Sequence, residues 1–381
     1  MEKNSNRIIL FTTAFRPFIG GSELAIEEIA KRLPDVNFDI ITPRYTRKLK
    51  KLEDFGHVRI FRVGWGMLGD KIFFPISGFL TARRISHLNN YAIIHAYQAS
   101  YGGGAAYLFK LFNSAAKFIL TLQEGKDLDH QGFWIRFLRK IVIKRADVIT
   151  VISNYLQDYA RRFNKKAKIT IIPNGVDIKN FSKEYSYGEL SELADRLGIK
   201  PGEKVIISVS RLVPKNGLDV LVRAFGFLNQ EPETRNYKLV FVGDGEQKNE
   251  LIGLAKESGV FQNIIFAGPT SHAELPKYLK ISDVFVRPSR SEGLGSAFLE
   301  AMATGTPVIG TKVGGIPDFL KNKETGLFAE AGNPKNLAEK INLILSDKEL
   351  RDKIIKNAKE LIVQKYDWDK IAGEFKKLYE A

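Results

Sequence analysis

The stretch from Asp283 to Gly310 admits few folds. An apolar run, Asp283-Val-Phe-Val286, leads into Ser289-Arg-Ser-Glu292-Gly-Leu-Gly295-Ser-Ala-Phe-Leu-Glu300-Ala-Met-Ala-Thr-Gly305, and a second apolar run follows at Thr306 to Ile309. That order is strand, glycine turn, helix, strand, the unit of a parallel α/β sheet. The glycines let backbone N–H groups come close to a ligand, and the new helix turns its positive end to the same place, so the turn suits phosphate. Two carboxylates, Glu292 and Glu300, bracket it. They repel phosphate but accept hydrogen bonds from hydroxyls. Phosphate together with hydroxyls points to a sugar nucleotide.

A chain of 381 residues exceeds one ordinary core and suits two domains. There is no cysteine, which removes disulfides, thiolate metal sites and a cysteine nucleophile, and fits a reducing compartment. The N-terminal apolar run, Ile8 to Phe11, reads as a buried first strand rather than a signal peptide, and no apolar run is long enough to span a bilayer. The net charge of +15 is uneven: 29 Lys+Arg stand against 15 Asp+Glu up to Asn180, and 29 against 28 after it. A basic first half attracts nucleic acid, anionic lipid or a phosphorylated substrate.

Strands alternate with helices throughout. In the first half, Arg7–Thr13, Phe38–Thr42, Val58–Val63, Tyr91–Ala96, Lys117–Leu122, Asp147–Ile152 and Ile169–Ile172 read as strands. Ser22–Leu33 reads as an amphipathic helix, and Arg44–Lys51 as a basic loop. The charged segment Asp177–Gly202 marks the domain boundary. The second half repeats the pattern with strands at Lys204–Ser210, Lys238–Val242, Asn263–Ala267, Asp283–Val286, Thr306–Ile309 and Gly326–Phe328. The fold class is α/β, two doubly wound Rossmann-like domains: 1–180, with a C-terminal helix 366–381 returning to it, and 181–365. Gly20, Gly21, Gln123, Arg211, Gly243, Gly268 and Glu292 each follow the carboxyl end of an expected strand, where such sheets bind ligands.

The run from Ser289 to Gly310 resembles the E-x7-E signature of glycosyltransferase family 4, which has the GT-B fold with two domains facing a cleft. The resemblance covers nearly the whole chain and is strongest from Lys204 to about Trp368. It implies a retaining glycosyltransferase that moves a hexose from a nucleotide-diphosphate sugar to an acceptor hydroxyl, in cell-surface polysaccharide, lipopolysaccharide or glycolipid synthesis. The first domain would be acceptor-side and the second would bind the donor. Glu292 would hold donor-sugar hydroxyls and Glu300 the ribose hydroxyls, while Gly293, Leu294, Gly295, Ser296 and Ala297 would meet the sugar and phosphates. In Arg211-Leu-Val-Pro-Lys215-Asn216-Gly217 the family places an arginine and a lysine that grip the diphosphate. Arg211 transfers cleanly. The lysine commonly precedes the glycine directly; here Asn216 holds that place and Lys215 stands one earlier. Phe18-Ile-Gly20-Gly21-Ser22-Glu23 resembles the N-terminal glycine loop, with Glu23 readable as a simple first-turn acid. Val242-Gly243-Asp244-Gly245-Glu246 resembles the second-domain glycine turn, and Gly268-Pro269-Thr-Ser-His272 would line the base pocket. Pro173-Asn174-Gly175 also matches, and reads foremost as a turn.

Thr121-Leu122-Gln123-Glu124-Gly125 lies where many members carry a histidine near the reacting carbon. Gln123 or Glu124 takes that role, or it moves; His95 also ends a strand, though a lone histidine there is more often structural. Asp127-Leu-Asp129 and Asp367-Trp-Asp369 read as structural, so no metal and no cofactor beyond the nucleotide-sugar co-substrate are expected; Arg211, Lys215 and a helix N-terminus neutralise the leaving diphosphate. The resemblance implies a front-face mechanism, in which the leaving phosphate helps deprotonate the acceptor, and this would explain why no covalent nucleophile emerges. The segment Phe133–Arg145 is either a helix lying on anionic membrane or, more in keeping with its pattern, a core helix with basic exposed positions. Trp65–Phe79 is a second stretch suited to membrane or acceptor contact. The expected partners are a nucleotide sugar, a carbohydrate or lipid-linked acceptor and an anionic membrane surface, at a cytoplasmic location. Three rivals stand beside this: a catalytically weak nucleotide-sugar-binding protein, a nucleic-acid module (which lacks a recognisable motif) and an NAD oxidoreductase (which lacks the dinucleotide fingerprint).

Overall fold

Apolar runs that alternate with helices become strands covered on both faces, and the computed structural model of the chain is built on two such sheets. It describes residues 7–18, 20–125, 132–229 and 236–381. They form two units, Met1–Asn174 with Trp368–Ala381, and Gly175–Asp367. The division therefore falls at Gly175 and Trp368 rather than at 181 and 366. Asp177–Gly202 is no linker. It holds the helices Ile178–Phe181 and Tyr187–Arg196, which bury Phe181 and Leu193 within the second unit. Ser186 and Glu189 close a capping box on the second of these helices, and that local signal was hidden among the charges.

The first unit contains β1 (Arg7–Phe11), β2 (Asn37–Pro43), β3 (Leu52–Asp54), β4 (Val58–Val63), β5 (Ile93–Tyr97), β6 (Lys117–Leu122), β7 (Val148–Val151) and β8 (Lys168–Ile171). Their order is β3-β4-β2-β1-β5-β6-β7-β8, parallel except for β3 against β4. The short edge strand β3 directly follows the expected basic loop and has no apolar run to announce it. β1 and β5 are buried at every residue, as central parallel strands are. The second unit contains β9 (Lys204–Val209), β10 (Tyr237–Val242), β11 (Ile264–Gly268), β12 (Val284–Arg287), β13 (Val308–Thr311) and β14 (Leu327–Ala329), in the order β11-β10-β9-β12-β13-β14, all parallel. In each sheet the chain lays strands to one side of its first strand, then crosses to the other side. The reversal lies between β1 and β5 in one and between β9 and β12 in the other. Loops diverge at such a point and leave a crevice beyond the carboxyl ends.

The helix Trp368–Glu380 belongs to the first unit. Trp368, Ile371 and Phe375 join Ile26 and Ile29 of the helix Gly21–Arg32 in one core, and Arg32 Nε donates to Asp369 Oδ1 at 2.5 Å. Asp369 is thus an ion-pair partner, in keeping with the structural reading of Asp367-Trp-Asp369. Asp127 and Asp129 lie outside the described residues.

His95 is a core residue, which corrects the option of a ligand-facing histidine. It is fully buried on β5, with Nε2 2.7 Å from the Thr121 hydroxyl and Nδ1 2.9 Å from the Tyr379 hydroxyl. Tyr97 and Phe375 pack against the ring. Burial pushes its pKa down to about 3. An unfolded histidine binds a proton below its ordinary 6.5, whereas this one stays neutral until about 3. Its contribution is complete above pH 6.5, and the first unit loses stability as pH falls from there towards 3, with a slope approaching about 1.4 kcal/mol per pH unit. Trp65, Trp134 and Trp368 all lie in the first unit, so tryptophan fluorescence during urea unfolding at a series of pH values reads this directly. A His95→Gln variant is expected to lose that part of the slope; an unchanged slope contradicts the assignment.

Candidate active site

The loop after β12 is built around a buried charge. Arg287 ends the strand, lies over the Phe298 ring at 4.8 Å, and donates through Nη2 to Glu292 Oε2 at 2.7 Å. Glu292 Oε1 accepts from the Gly293 N–H at 3.0 Å, and Lys215 Nζ stands 3.8 Å from the same oxygen. A carboxylate offers about four lone-pair sites. Arg287 and Gly293 occupy two, so Glu292 keeps capacity for sugar hydroxyls while its orientation is fixed. The loop after β13 closes on it from behind: a Cβ at Gly314 (φ +53) would fall 1.7 Å from the Glu292 carbonyl oxygen, so only glycine fits.

Gly295 (φ +102) then starts the helix Ser296–Thr304 with no capping side chain. A Cβ at Gly295 would press on the Arg287 guanidinium at 3.2 Å and on Phe298 at 3.0 Å. The first-turn N–H groups of Ser296 and Ala297 have no capping side chain, as an anion site requires. Leu294 is buried beneath the turn.

The loop after β9 is joined to this one across the sheet reversal. The Lys215 carbonyl accepts from Arg290 N at 2.7 Å and Ser291 N at 3.3 Å, and Arg290 makes a two-pronged pair with Asp219 at 2.8 and 2.7 Å. Arg211 is exposed at the start of the loop. Asn216 is buried and donates through Nδ2 to the Arg211 carbonyl at 2.7 Å. Asn216 fastens the turn, and the neighbouring Lys215 ammonium stands beside Glu292.

Glu300 lies one turn further along its helix. Its carboxylate is buried and meets His272 Nε2 at 3.1 Å, while the His272 ring stands edge-on to Phe181 at 4.9 Å. The Gly243 N–H donates to the Gly268 carbonyl at 2.8 Å, which ties the glycine turn after β10 to the loop carrying exposed Pro269. The donor-binding residues named from the second half of the sequence thus lie on the loops and helix that follow the strands of one sheet, whereas Gly20 and Gly21, also named for the donor, belong to the first unit. Sequence reasoning passed over Arg287; its one signal was an arginine closing an otherwise apolar strand.

The first unit gathers its own set. Gly20 precedes the helix Gly21–Arg32, and the Glu23 carboxylate folds back so that a Cβ at Gly20 would lie 2.5 Å from it. Gln123 and Asn174 exchange amide hydrogen bonds at 2.9 and 3.3 Å, with Gly21 beside Asn174. Asn174, read foremost as part of a turn, is therefore the partner of Gln123. Glu124 does not share the half-buried position of Gln123. It is buried, accepts from the Ala99 N–H at 2.7 Å, and lies 3.9 Å from Arg139 Nε; burial pushes its pKa up. It braces the loop and leaves Gln123 as the accessible group.

Converting Asn216 to the lysine commonly found there tests this account. Asn216→Lys removes the clamp on Arg211 and places an ammonium in a closed site. It is expected to destabilise the second unit by about 1–3 kcal/mol, read by calorimetry. Unchanged stability contradicts the clamp.

Two family models match the chain: Glycosyltransferase Family 4 over residues 19–180, and Glycosyl transferases group 1 over residues 191–361. An uncharacterized glycosyltransferase of Methanocaldococcus jannaschii is 34% identical over 236 residues, 62% of this chain and 60% of that one. Alpha-monoglucosyldiacylglycerol synthase of Streptococcus pneumoniae is 28% identical over 314 residues, 80% of this chain and 70% of that one. Among solved structures, Anabaena HepE in complex with UDP and glucose matches with a TM-score of 0.80 at 21% identity, over 98% of this chain and 99% of that one, a likeness of fold. With the two sheets and the loops at their carboxyl ends, these matches identify the chain as a glycosyltransferase of family 4 with the GT-B fold.

Proposed function

We propose that the protein transfers a hexose from a nucleotide-diphosphate sugar to an acceptor hydroxyl with retention of configuration and without a metal. The observation that carries this is the uncapped helix start at Ser296–Ala297, set between the clamped carboxylates Glu292 and Glu300 and beside Lys215. In this reading Glu292 takes donor-sugar hydroxyls, Glu300 takes the ribose hydroxyls, and Arg211, Lys215 and the helix N–H groups supply the positive charge that the leaving diphosphate needs. The leaving phosphate itself assists deprotonation of the acceptor. The amide of Gln123 is the group the first unit offers for a sugar hydroxyl.

A sugar-nucleotide donor is supported by the UDP and glucose bound to HepE, and a lipid-linked acceptor by the name of the pneumococcal relative. The reading carries a cytoplasmic location, with which a cysteine-free chain is compatible. The Gln123–Asn174 pair favours a second reading, a nucleotide-sugar-binding protein of weak catalysis, because neither amide can carry charge.

Thermal unfolding with UDP, GDP and ADP in turn, and NAD as control, tests the site. One diphosphate is expected to stabilise the protein by about 2.7 kcal/mol at a hundredfold excess over its dissociation constant. Glu300→Ala is expected to blunt the shift. No shift with any diphosphate or its sugar conjugates contradicts the donor site; a shift without multiple-turnover transfer selects the second reading.

A further inference from the structure

The helix Asp70–Ser86 is apolar on two sides. Phe74, Gly78 and Ala82 face inward, and Ile72, Phe73, Ile76 and Leu80 face out, Ile76 at 61% exposure. A helix hydrophobic all round is ordinarily covered on every side. It packs directly on the helix Tyr101–Phe112: a Cβ at Gly104 would touch Pro75 at 3.4 Å, and Phe79 meets Phe112 at 5.1 Å. That helix in turn packs on Phe133–Arg145, since a Cβ at Gly103 would lie 2.9 Å from Val142. The third helix seats Val142 and Ile143 in the core at its C-terminal end and exposes apolar groups over its first turns. Arg139 is buried at 4% exposure, while Phe133, Ile135, Phe137 and Leu138 stand in solvent, Phe133 at 72%. The expectation of a core helix with basic exposed positions holds for Val142 and Ile143, which are buried, and for exposed Arg136, Lys140 and Lys144, but not for the apolar groups of the first turns. Ahead of the first helix, the loop bearing Trp65, Met67 and Leu68 is exposed as well, with Trp65 against Phe73 at 5.9 Å.

We propose that the outer face of these three helices and the Trp65–Leu68 loop dock on an anionic lipid bilayer. Three adjacent helices leaving large apolar side chains in water form more than scattered exposure, and such patches mark interaction surfaces. Positive charge borders the patch. The Arg47 backbone lies against Gly66, where a Cβ would sit 2.6 Å from the Arg47 nitrogen, so exposed Arg47, Lys48, Lys50 and Lys51 flank the Trp65 loop. Arg83 stacks over Phe112 at 5.2 Å at the other end. Apolar groups with a tryptophan and a basic border are the composition of an interfacial membrane surface. A second copy of the chain meets this patch less well, because an isologous contact would set the same positive border against itself. The Trp65 loop and the basic loop follow β4 and β2, at the same carboxyl edge as Gly20 and Gln123. Docking there presents a lipid-borne hydroxyl to the acceptor-side edge of this unit. Binding to lipid needs no donor and is separable from the transfer reading.

Flotation of the full chain with phosphatidylglycerol–phosphatidylcholine vesicles, and with phosphatidylcholine vesicles alone, tests the proposal. Sedimentation velocity without lipid is run beside it. The wild type is expected to be monomeric and to float with the anionic vesicles, less so at high salt. An Ile76→Glu/Leu80→Glu variant, shown to be folded by its thermal midpoint, is expected to partition about tenfold more weakly or worse. A second variant, Phe133→Ser/Phe137→Ser, removes apolar groups without adding charge and is expected to weaken flotation too. A wild type that stays in the soluble fraction at low salt overturns the proposal. So do folded variants that float as well as the wild type, or a dimer that the same substitutions dissolve.

Discussion

A buried guanidinium must have a counter-charge, and Arg287 has Glu292. Breaking such a pair from one side leaves an uncompensated charge and costs about 3–5 kcal/mol. That penalty holds together the turn between β12 and the helix Ser296–Thr304. Arg287 fixes the carboxylate, Gly314 allows the neighbouring loop to lie on its backbone, and Gly295 turns the chain into a helix with an open N-terminus. Remove the pair, and the turn keeps its glycines but loses what orients them. The arrangement thus ties one carboxylate down through Oε2 and leaves lone-pair capacity on Oε1 beside the Gly293 N–H, which is what the proposed sugar contact draws on.

The neighbouring loops extend the same economy of parts. Asn216 and the backbone of Lys215 are taken up by the fold, one holding the Arg211 carbonyl and the other receiving N–H groups from Arg290 and Ser291. Their rigidity leaves the Arg211 and Lys215 side chains to project from a fixed base, and preorganised charge is what stabilises a leaving group most effectively. Glu300 is oriented likewise by His272. In the first unit the accessible group is an amide held by another amide, Gln123 on Asn174, and the carboxylate beside it, Glu124, is turned inward to Ala99 and Arg139. Both sheets are doubly wound, and the groups held beside the reversal differ: Arg287, Glu292 and Lys215 are charged in the second unit, whereas the Gln123–Asn174 pair of the first is neutral.

Much of this was legible in the sequence. Strands buried on both faces must be apolar runs, and parallel strands must be separated by helices, so β1, β5, β9 and β12 were visible, and with them the glycine turns after β1, β9 and β12. The doubly wound reading and the family followed, and both hold. What escaped was set by contacts distant in the chain. His95 is made structural by Tyr379, 284 residues away, and Glu300 is oriented by a histidine 28 residues before it. Asn216 looked like a lost lysine because its hydrogen bond to a main-chain carbonyl leaves no trace in composition. The helix Phe133–Arg145 was half legible for a related reason: its composition announced buried Val142 and Ile143 and exposed basic residues, but not that Phe133, Ile135, Phe137 and Leu138 are left in solvent.

The central claim is that the carboxyl edge of the second sheet holds a nucleotide diphosphate. A crystal structure of the protein with the diphosphate that stabilises it tests this most directly. The account predicts the ribose hydroxyls at Glu300, the diphosphate oxygens on the N–H groups of Ser296 and Ala297 with Arg211 and Lys215 beside them, and the Arg287–Glu292 pair intact. A nucleotide seated away from this edge, or one bound there with Glu292 released from Arg287, would contradict it.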